Sequence, residues 1–463
     1  MQITKLNAEK VHGYLSIDID FFPDLTFLTG LNGSGKTSAL RLLMALLTPT
    51  IEEFASINFT MASATVHDND NDVVVRANKT SDGIEISLSN IVNPLQLSSA
   101  DIQLLSEPIR NEETKPPVLE KVIKHEVFQA IRAMSTPMFL GLDRRFFAPS
   151  AIWNNEQVVR RRDYFARRLW HENPEFRRSP AAGLTDVHFL VADRVQEIRL
   201  EQERLDETLR SKLLTRAFEY KPSEIGKIDQ TPKRAELERY RNLLAQIDRL
   251  AEGLRLPVPE LKAALSNFFE RMTTLVTALE KSVPKQEAKD KKNIAKAKTE
   301  PESAQPNIHL VEWIINKPQT DRILEHLHLL NKYGDARTAL REPIDRFLSL
   351  VNGFLEQTNK RISVEANGEL AVFLKGNDAP RLISALSSGE RQLLVMLAHL
   401  SLNKNLIGSS VFIVDEPELS LHISWQEKFV DAIREANPSV QLIMATHSPA
   451  IILDRDDHCI SLS

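Results

Sequence analysis

Residues 26–43 read "TFLTGLNGSGKTSALRLL", an apolar run followed by a glycine-rich octet and a helical pattern. Leu25 to Thr29 predicts a short buried strand, and about Ser38 to Leu47 predicts a helix. The octet at 30–37 fits G-x-x-x-x-G-K-[ST]. Its backbone N–H groups can converge on a phosphate at the positive end of the helix, so the stretch predicts a nucleotide-phosphate site.

Two side chains of this loop have predicted roles of their own. Lys36 should bridge the β- and γ-phosphates, and the Thr37 hydroxyl should bind Mg²⁺. The predicted nucleotide-binding residues are Asn32, Gly33, Ser34, Gly35, Lys36, Thr37 and Ser38.

A second motif, "VFIVDEPELSLH" at 411–422, places four apolar residues before two acids. A buried strand would deliver Asp415 and Glu416 to its carboxyl end, where α/β proteins bind ligands. Asp415 is predicted to hold Mg²⁺ through water, and Glu416 to orient the attacking water. The alternative is an acid pair that faces solvent.

A third motif is "ALSSGERQ" at 385–392, where a Ser-Ser-Gly turn caps a helix that begins near Glu390. Alone it would be an ordinary helix N-cap. The fourth, "LIMATHSP" at 442–449, ends an apolar strand at His447, which can bond a γ-phosphate, although such a histidine is usually structural.

Along the chain the order is glycine loop, Ser-Gly-Glu cap, acidic strand and histidine, and in that order the four motifs resemble those of ABC ATPases of the SMC, RecF and OLD type. "LSSGERQ" stands where transporter ATPases have Leu-Ser-Gly-Gly-Gln, and "DEPELSLH" continues in the RecF and OLD manner. The resemblance covers residues 1–150 and 345–463.

The resemblance implies an ATPase that uses ATP and Mg²⁺, with Glu416 and His447 as catalytic residues and Thr37 and Asp415 at the metal. It also implies that the serine-glycine cap binds the γ-phosphate held by a partner subunit, so that ATP joins two copies head to head. The residues of this trans signature are Ser387, Ser388, Gly389 and Glu390.

The chain is predicted to be α/β, with an ABC-ATPase head formed by both chain ends from mixed and parallel sheets flanked by helices. We expect the lobes of the head at 1–190 and 346–463, around a helical or short coiled-coil insertion at 191–345. In the C-terminal lobe, Asn367-Gly368 between two alternating runs predicts a hairpin.

The insertion has apolar periodicity over Val191 to Leu209 and again over Leu237 to Leu254. Two such helices can pack as an antiparallel pair. That pair would be either a true coiled coil or part of an ordinary helical subdomain. Residues 285–298 hold six lysines against two acids and predict a solvated loop.

Composition excludes several classes of protein. The net charge of −5 excludes a general polyanion binder, and the single cysteine, Cys459, excludes an internal disulfide and a cysteine zinc site. The N-terminus has no signal-peptide core, and no apolar run is long enough to span a membrane. We therefore expect a cytoplasmic protein with no membrane partner.

Two differences from the family limit which of its members this chain resembles. A single cysteine allows no Cys-x-x-Cys hook, and the 16 residues after His447 leave no room for a TOPRIM nuclease domain. The combination resembles stand-alone ATPase subunits of bacterial anti-phage systems of the PARIS and Septu types. That likeness implies a homodimer or higher homo-oligomer that controls a separately encoded nuclease or toxin.

Basic segments of the chain are candidates for binding a further partner. Residues 160–178 hold seven arginines among aromatic residues, which suits DNA or a phage protein but equally a solvated helix. Arg144 and Arg145 suit a surface ion pair or a place near the γ-phosphate.

Three functions remain in view: an ATP-gated defence sensor that controls an effector, a RecF- or SMC-like ATPase of DNA repair or chromosome maintenance, and a scaffold that binds ATP with scarcely any turnover. The presence of Glu416 favours slow hydrolysis over the scaffold.

Overall fold

The computed structural model describes residues 1–48, 51–68, 71–106, 117–134, 137–141, 146–147, 182–218, 238, 258–282, 308–365, 368–404 and 410–462. Two compact units make up the chain, one of Met1–Gln196 with Pro343–Ser463 and the other of Glu197–Glu342. The predicted hairpin residue Asn367, Arg144 and Arg145, the basic segment 160–178, the lysine-rich segment 285–298 and all but one residue of the second predicted insertion helix lie outside the described residues.

Strands and helices are numbered here along the described part of the chain. The strands are β1 Gln2–Val11, β2 Leu15–Asp20, β3 Leu25–Thr29, β4 Met61–Asp68, β5 Asn71–Lys79, β6 Gly83–Leu88, β7 Leu95–Ser98, β8 Met138–Leu140, β9 Phe146–Phe147, β10 Lys360–Val364, β11 Leu370–Leu374, β12 Asn377–Arg381, β13 Ser410–Asp415, β14 Val440–Ala445 and β15 Cys459–Ser461. The helices are α1 Lys36–Leu47, α2 Ile51–Ser56, α3 Ser99–Ser106, α4 Pro117–Lys124, α5 Glu126–Ala133, α6 Ala182–Phe218, α7 Val258–Ser282, α8 Ile308–Leu355, α9 Ser388–Leu402, α10 Ile423–Ala436 and α11 Pro449–Ile452.

One sheet of the first unit joins the two ends of the chain. Its strand order is β15-β3-β14-β13-β8-β9, and its strands are parallel except for β9. Leu28 of β3 pairs with Ala445 of β14, and Ala445 pairs in turn with Asp415 of β13. The central strands β13 and β14 are buried along their whole length, as apolar strands covered on both faces should be. The predicted α/β fold, with a sheet built from both chain ends, is confirmed.

Two antiparallel sheets complete this unit. One has six strands in the order β2-β1-β4-β5-β6-β7, and the other has the three strands β10-β11-β12. Buried residues alternate with exposed ones in β2 and with half-buried ones in β6, which follows the two-residue period of a strand. β10 and β11 pair antiparallel over five residues on either side of the predicted turn.

Helix α1 is buried between the two six-stranded sheets. Its apolar residues are all buried and share one core with β1, β4, β13 and β14, whereas the side chain of Arg41 is 40% exposed and pairs with Glu53. A buried glutamine also ties the sheets together, because Gln441 of β14 bonds the backbone N–H of Ile3 at 2.8 Å and its carbonyl at 2.7 Å. Gln441 thereby joins β1 to the parallel sheet at the amino end of β14.

The second unit has a helical core of its own. Residues of α7 and α8 form it around Trp313 and Phe269, and Arg271 forms a two-pronged ion pair with Glu312 at 3.0 and 3.1 Å. The hydroxyl of Tyr333 donates a hydrogen bond to Asp206 of α6. A helical middle is therefore present.

Some boundaries differ from the predictions. Helix α1 begins at Lys36, two residues before the predicted start, because the glycine loop leads directly into it. Helix α6 begins at Ala182, well before the predicted periodic stretch at Val191, and the short helix α2 was not predicted at all. In the described part of the chain, no helix is both long and apolar enough to cross a membrane.

Candidate nucleotide-binding site

The glycines of the loop between β3 and α1, Gly30, Gly33 and Gly35, all have positive φ angles. Gly30 has φ 141°, and a Cβ there would lie 2.4 Å from the carbonyl oxygen of Leu462, so only glycine fits beside that strand end. Gly33 has φ 89° and open space where a side chain would stand. That side of the loop is therefore free to approach a phosphate.

One hydroxyl of the loop lacks a partner. Ser34 Oγ is buried, and it accepts or donates no hydrogen bond within the described residues. A buried hydroxyl without a partner is costly in a folded protein. A phosphate oxygen in the loop would satisfy it, so this atom fits the predicted ligand.

Lys36 is buried at the first residue of α1. Its Nζ donates to the carbonyl oxygens of Gly30 at 3.0 Å and Leu31 at 3.2 Å, which hold the ammonium across the loop. Carbonyl oxygens satisfy the donors of the lysine without cancelling its charge. The cation is therefore placed to bind an anion at the helix N-terminus.

Thr37 and Asp415 meet where the loop faces the end of β13. Thr37 Oγ1 lies 3.3 Å from Asp415 Oδ1, and only 2% of Asp415 is exposed. The pKa of Asp415 is raised to about 6, chiefly by burial and in part by the charge of Glu416, while the hydrogen bond from Thr37 acts in the opposite direction. A hydroxyl and a carboxylate together are suitable ligands for Mg²⁺.

These residues do not form a complete metal cage. Within the described ranges, no group of three or more histidine, cysteine, aspartate or glutamate side chains is arranged to hold a metal. Mg²⁺ usually takes one or two protein ligands and completes its shell with water and phosphate oxygens. Thr37 and Asp415 therefore fit a metal that arrives with a nucleotide.

The backbone turns sharply at Glu416, directly after β13. The N–H of Glu416 donates to Ala445 O at 2.9 Å, which extends the β13–β14 ladder, and its φ of 48° and ψ of 59° then turn the chain away. Such a conformation costs about 1–3 kcal/mol for a residue other than glycine, and it is concentrated at functional sites. The carboxylate remains 20% exposed, and its Oε1 lies 3.5 Å from His447 Nε2.

Glu418, two residues later, binds the loop that follows β14. Its Oε1 accepts a hydrogen bond from the N–H of His447 at 2.6 Å, and both its oxygens lie 2.9 Å from Thr446 Oγ1. No role was predicted for Glu418 from the sequence. The available signal was a third acid, in "DEPE", after a buried strand.

The predicted signature forms a capped turn. Ser387 caps α9 by accepting from the N–H of Glu390 at 3.4 Å, and Glu390 accepts from the N–H of Ser387 at 2.6 Å. Ser387 and Ser388 are exposed, whereas Glu390 is buried. A Cβ on Gly389 would lie 2.7 Å from the carbonyl oxygen of Ser420, so the turn packs closely against the segment after Glu418.

Glu390 is held by a buried ion pair beneath this turn. It accepts from Lys360 Nζ at 2.8 Å and from Thr358 Oγ1 at 2.7 Å. Burial by itself would raise the pKa of Glu390, but the bonds from Lys360, the Ser387 N–H and Thr358 outweigh it and hold that pKa below its usual value. Glu390 thus stabilises the turn that presents the two serines.

Five of the predicted residues therefore lie at one edge of the parallel sheet. Their side chains are connected through the loop, the Thr37–Asp415 contact and the Glu416–His447 pair. Of the remaining loop residues, Asn32 is exposed and Ser38 Oγ lies 2.8 Å from His12 Nε2. The five predicted residues at this edge of the sheet are Lys36, Thr37, Asp415, Glu416 and His447.

A family model matches most of the chain. Its description is "AAA domain, putative AbiEii toxin, Type IV TA system", and it matches residues 143–454, which is more than half of the sequence. The match begins after the glycine loop and includes the signature turn, the acidic end of β13 and His447.

Two curated proteins are similar over shorter stretches. The "Retron Vc95 probable ATPase" of Vibrio cholerae serotype O1 biovar El Tor is 32% identical over 92 residues, which are 20% of this chain and 18% of that protein. The "Retron Ec83 probable ATPase" of Escherichia coli is 25% identical over 132 residues, which are 26% of this chain and 23% of that protein. The matches thus span about a fifth of the length of these relatives.

Solved structures of Smc head domains are similar over nearly the whole chain. The head with an extended coiled coil bound to the C-terminal domain of ScpA, from Pyrococcus furiosus, has a TM-score of 0.38 and 14% identity and covers 99% of this chain and 93% of that one. The head with a coiled coil and joint from Pyrococcus yayanosii has a TM-score of 0.35 and 13% identity, with 99% and 94% covered. At these scores the likeness carries no argument about function.

Proposed function

The chain belongs to the family described as "AAA domain, putative AbiEii toxin, Type IV TA system", and from this premise we propose that it is a Mg²⁺-dependent ATPase. One observation carries the proposal. A phosphate loop with a buried lysine faces, across the Thr37–Asp415 contact, a strand end that carries the Glu416–His447 pair. This arrangement offers a phosphate cradle, a metal site and a water-orienting acid together.

Each part of the site has a distinct role in hydrolysis. The loop N–H groups and Lys36 bind the β- and γ-phosphates, and Thr37 and Asp415 hold Mg²⁺. When bound, Mg²⁺ neutralises charge on the phosphate oxygens. Glu416 accepts a hydrogen bond from water and aims the water oxygen at the γ-phosphorus. As that oxygen bonds the phosphorus, the bond to the β,γ-bridging oxygen breaks, ADP leaves and the protons of the water remain on the released phosphate, while His447 bonds the γ-phosphate.

The proposed site is completed by a second copy of the chain. Support comes from the exposed serines of the signature turn, which the capping box and the Lys360–Glu390 pair hold in one conformation. Apolar side chains in or beside the motifs are also exposed, including Leu31 at 85% and Leu419 at 59%. A partner subunit would cover such residues, and turnover would then be slow because it depends on dimerisation.

We place this ATPase in bacterial defence, where it would control a separately encoded nuclease or toxin. The printed names of the two retron ATPases and of the toxin–antitoxin family support this placement. A stand-alone ATPase of the PARIS or Septu type is the narrower form of the proposal. The alternative, a RecF- or SMC-like ATPase for DNA, would instead bind DNA in the presence of ATP.

Phosphate release tests the enzyme proposal. Purified protein with Mg²⁺-ATP should release phosphate faster than a Glu416→Gln variant, which keeps the shape of the side chain and loses its charge. Equal rates would overturn the ATPase proposal. Co-purification with the product of the neighbouring gene, with and without ATP, tests the effector: recovery of a nuclease or toxin supports defence, and recovery of recombination proteins supports the alternative.

A further inference from the structure

We propose that Glu418 is a positioning residue, which holds the Thr446–His447 segment so that the His447 ring stays beside Glu416. The proposal rests on the ATPase function proposed above. It assigns a role to the second glutamate of "DEPE". Among the described residues, Glu418 forms no hydrogen bond with the phosphate loop or the Thr37–Asp415 pair, although its negative charge helps to raise the pKa of Asp415.

The need for such a residue follows from how β13 and β14 end. The strands pair as far as Asp415 and Ala445, and the N–H of Glu416 adds one more bond to Ala445. Glu416 then enters the left-handed conformation and the 3₁₀ turn Pro417–Leu419 begins. Backbone pairing therefore no longer fixes the distance between Glu416 and His447.

Glu418 supplies the missing connection. Its carboxylate accepts from the His447 N–H at 2.6 Å, and a hydrogen bond to an ionised acceptor is about twice as strong as a neutral one. The hydroxyl of Thr446 is fully buried and already accepts from the N–H of Ser448 at 3.0 Å, so its proton points to Glu418, 2.9 Å away. Thr446 and His447, two consecutive residues after β14, are thus both hydrogen-bonded to the carboxylate of Glu418.

Gln426 of α10 also connects the segment after β13 with the segment after β14. Gln426 of α10 donates to Leu421 O at 2.9 Å and accepts from Ser448 Oγ at 2.6 Å. This amide keeps the two loops together when Glu418 is changed. Loss of the Glu418 carboxylate should consequently free His447 without unfolding the site.

Three variants separate this role from a general one. Glu418→Ala removes both bonds, Glu418→Gln keeps an oxygen that can accept from the His447 N–H, and Glu427→Ala removes an exposed acid of α10 as the matched control. We would measure kcat and KM for ATP. In the nucleotide-free protein, we would record the ¹H–¹³C signal of the His447 ring, identified with a His447→Gln variant.

The expected result for Glu418→Ala is a kcat lowered about 10–100-fold, the range seen when groups that orient a functional side chain are removed, with KM changed less than threefold. The His447 signal should move. Glu418→Gln should keep most of the rate and a signal close to that of the wild type, and Glu427→Ala should match the wild type. If Glu418→Ala does not fold, Thr446→Val removes one of the two bonds and should shift the same signal.

Three outcomes would overturn the proposal: wild-type kcat in Glu418→Ala, a rate loss with the His447 signal unmoved, or equal damage from alanine and glutamine. The spectrum needs neither nucleotide nor turnover. If the wild type fails to hydrolyse ATP, the proposed function fails, and the His447 signal still decides the role of Glu418.

Discussion

Thr37 Oγ1 lies 3.3 Å from Asp415 Oδ1, although 378 positions separate the two residues in the chain. The contact exists because β3 and β13 flank β14 in one parallel sheet and end at the same edge. The residues that follow the carboxyl ends of β3, β13 and β14 are therefore close together.

Replacement of Lys36 by alanine should abolish binding of ATP. The ammonium is held over the loop by two backbone carbonyls, so its removal leaves phosphate facing a loop without a fixed cation. Titration with a fluorescent ATP analogue measures the loss, which should exceed 10-fold, or about 1.4 kcal/mol. Lys428→Ala, on the exposed side of α10, is the control and should bind as the wild type does. Tight binding by Lys36→Ala would contradict the proposed phosphate cradle.

Replacement of Asp415 by asparagine should stabilise the metal-free protein at pH 7.5. Burial raises the pKa of Asp415 to about 6 from a reference value of 3.8, so the folded state binds more protons between these values and stability falls as pH rises through them. Asparagine can still accept the bond from Thr37 and carries no charge. We expect a gain on the order of 2 kcal/mol at pH 7.5 that shrinks towards pH 4.

Thermal unfolding in EDTA measures this effect, with Glu427→Gln on the exposed face of α10 as the control. Addition of Mg²⁺-ATP should reverse the order, because the wild type gains a ligand that Asp415→Asn binds poorly. An asparagine variant whose advantage is the same at pH 5 and pH 7.5 would show that the buried charge is not the cause.

Replacement of Lys360 by methionine should strongly destabilise the protein. Methionine keeps the apolar length of the side chain and leaves the buried Glu390 carboxylate without its cation, which typically costs about 3–5 kcal/mol. Chemical denaturation measures the loss, and Lys375→Met at an exposed position should change stability by less than about 0.5 kcal/mol. Equal stability of the two variants would mean that Glu390 does not depend on the ion pair.

Local patterns were sufficient to predict that the candidate residues meet at one edge of the parallel sheet. The glycine loop, the acids after β13 and the histidine after β14 each follow a buried strand, and the parallel sheet brings strand ends together whatever the length of the insertion. The Lys360–Glu390 pair could not be predicted, because 30 residues separate its members and neither lies in a periodic pattern. Glu418 could not be given a role either, since its partners depend on β13 and β14 being neighbours. Short elements such as α2 and β7 carry too few residues to establish a period.

Replacement of Ser387 by arginine should leave ATP binding in each copy intact and block association that depends on ATP. Ser387 is exposed at the N-terminus of α9, and the proposed dimer places it against the γ-phosphate bound by the other copy. A long cation at that position would fill the space that the γ-phosphate needs. Loss of the cap costs about 1 kcal/mol, so the variant should still fold. Sedimentation of the hydrolysis-deficient Glu416→Gln background with ATP should show a dimer that the added Ser387→Arg change removes, whereas Glu427→Arg in the same background should retain it. Equal sedimentation of the two double variants would place the serine turn outside the dimer contact, and the nucleotide site would then belong to one copy alone.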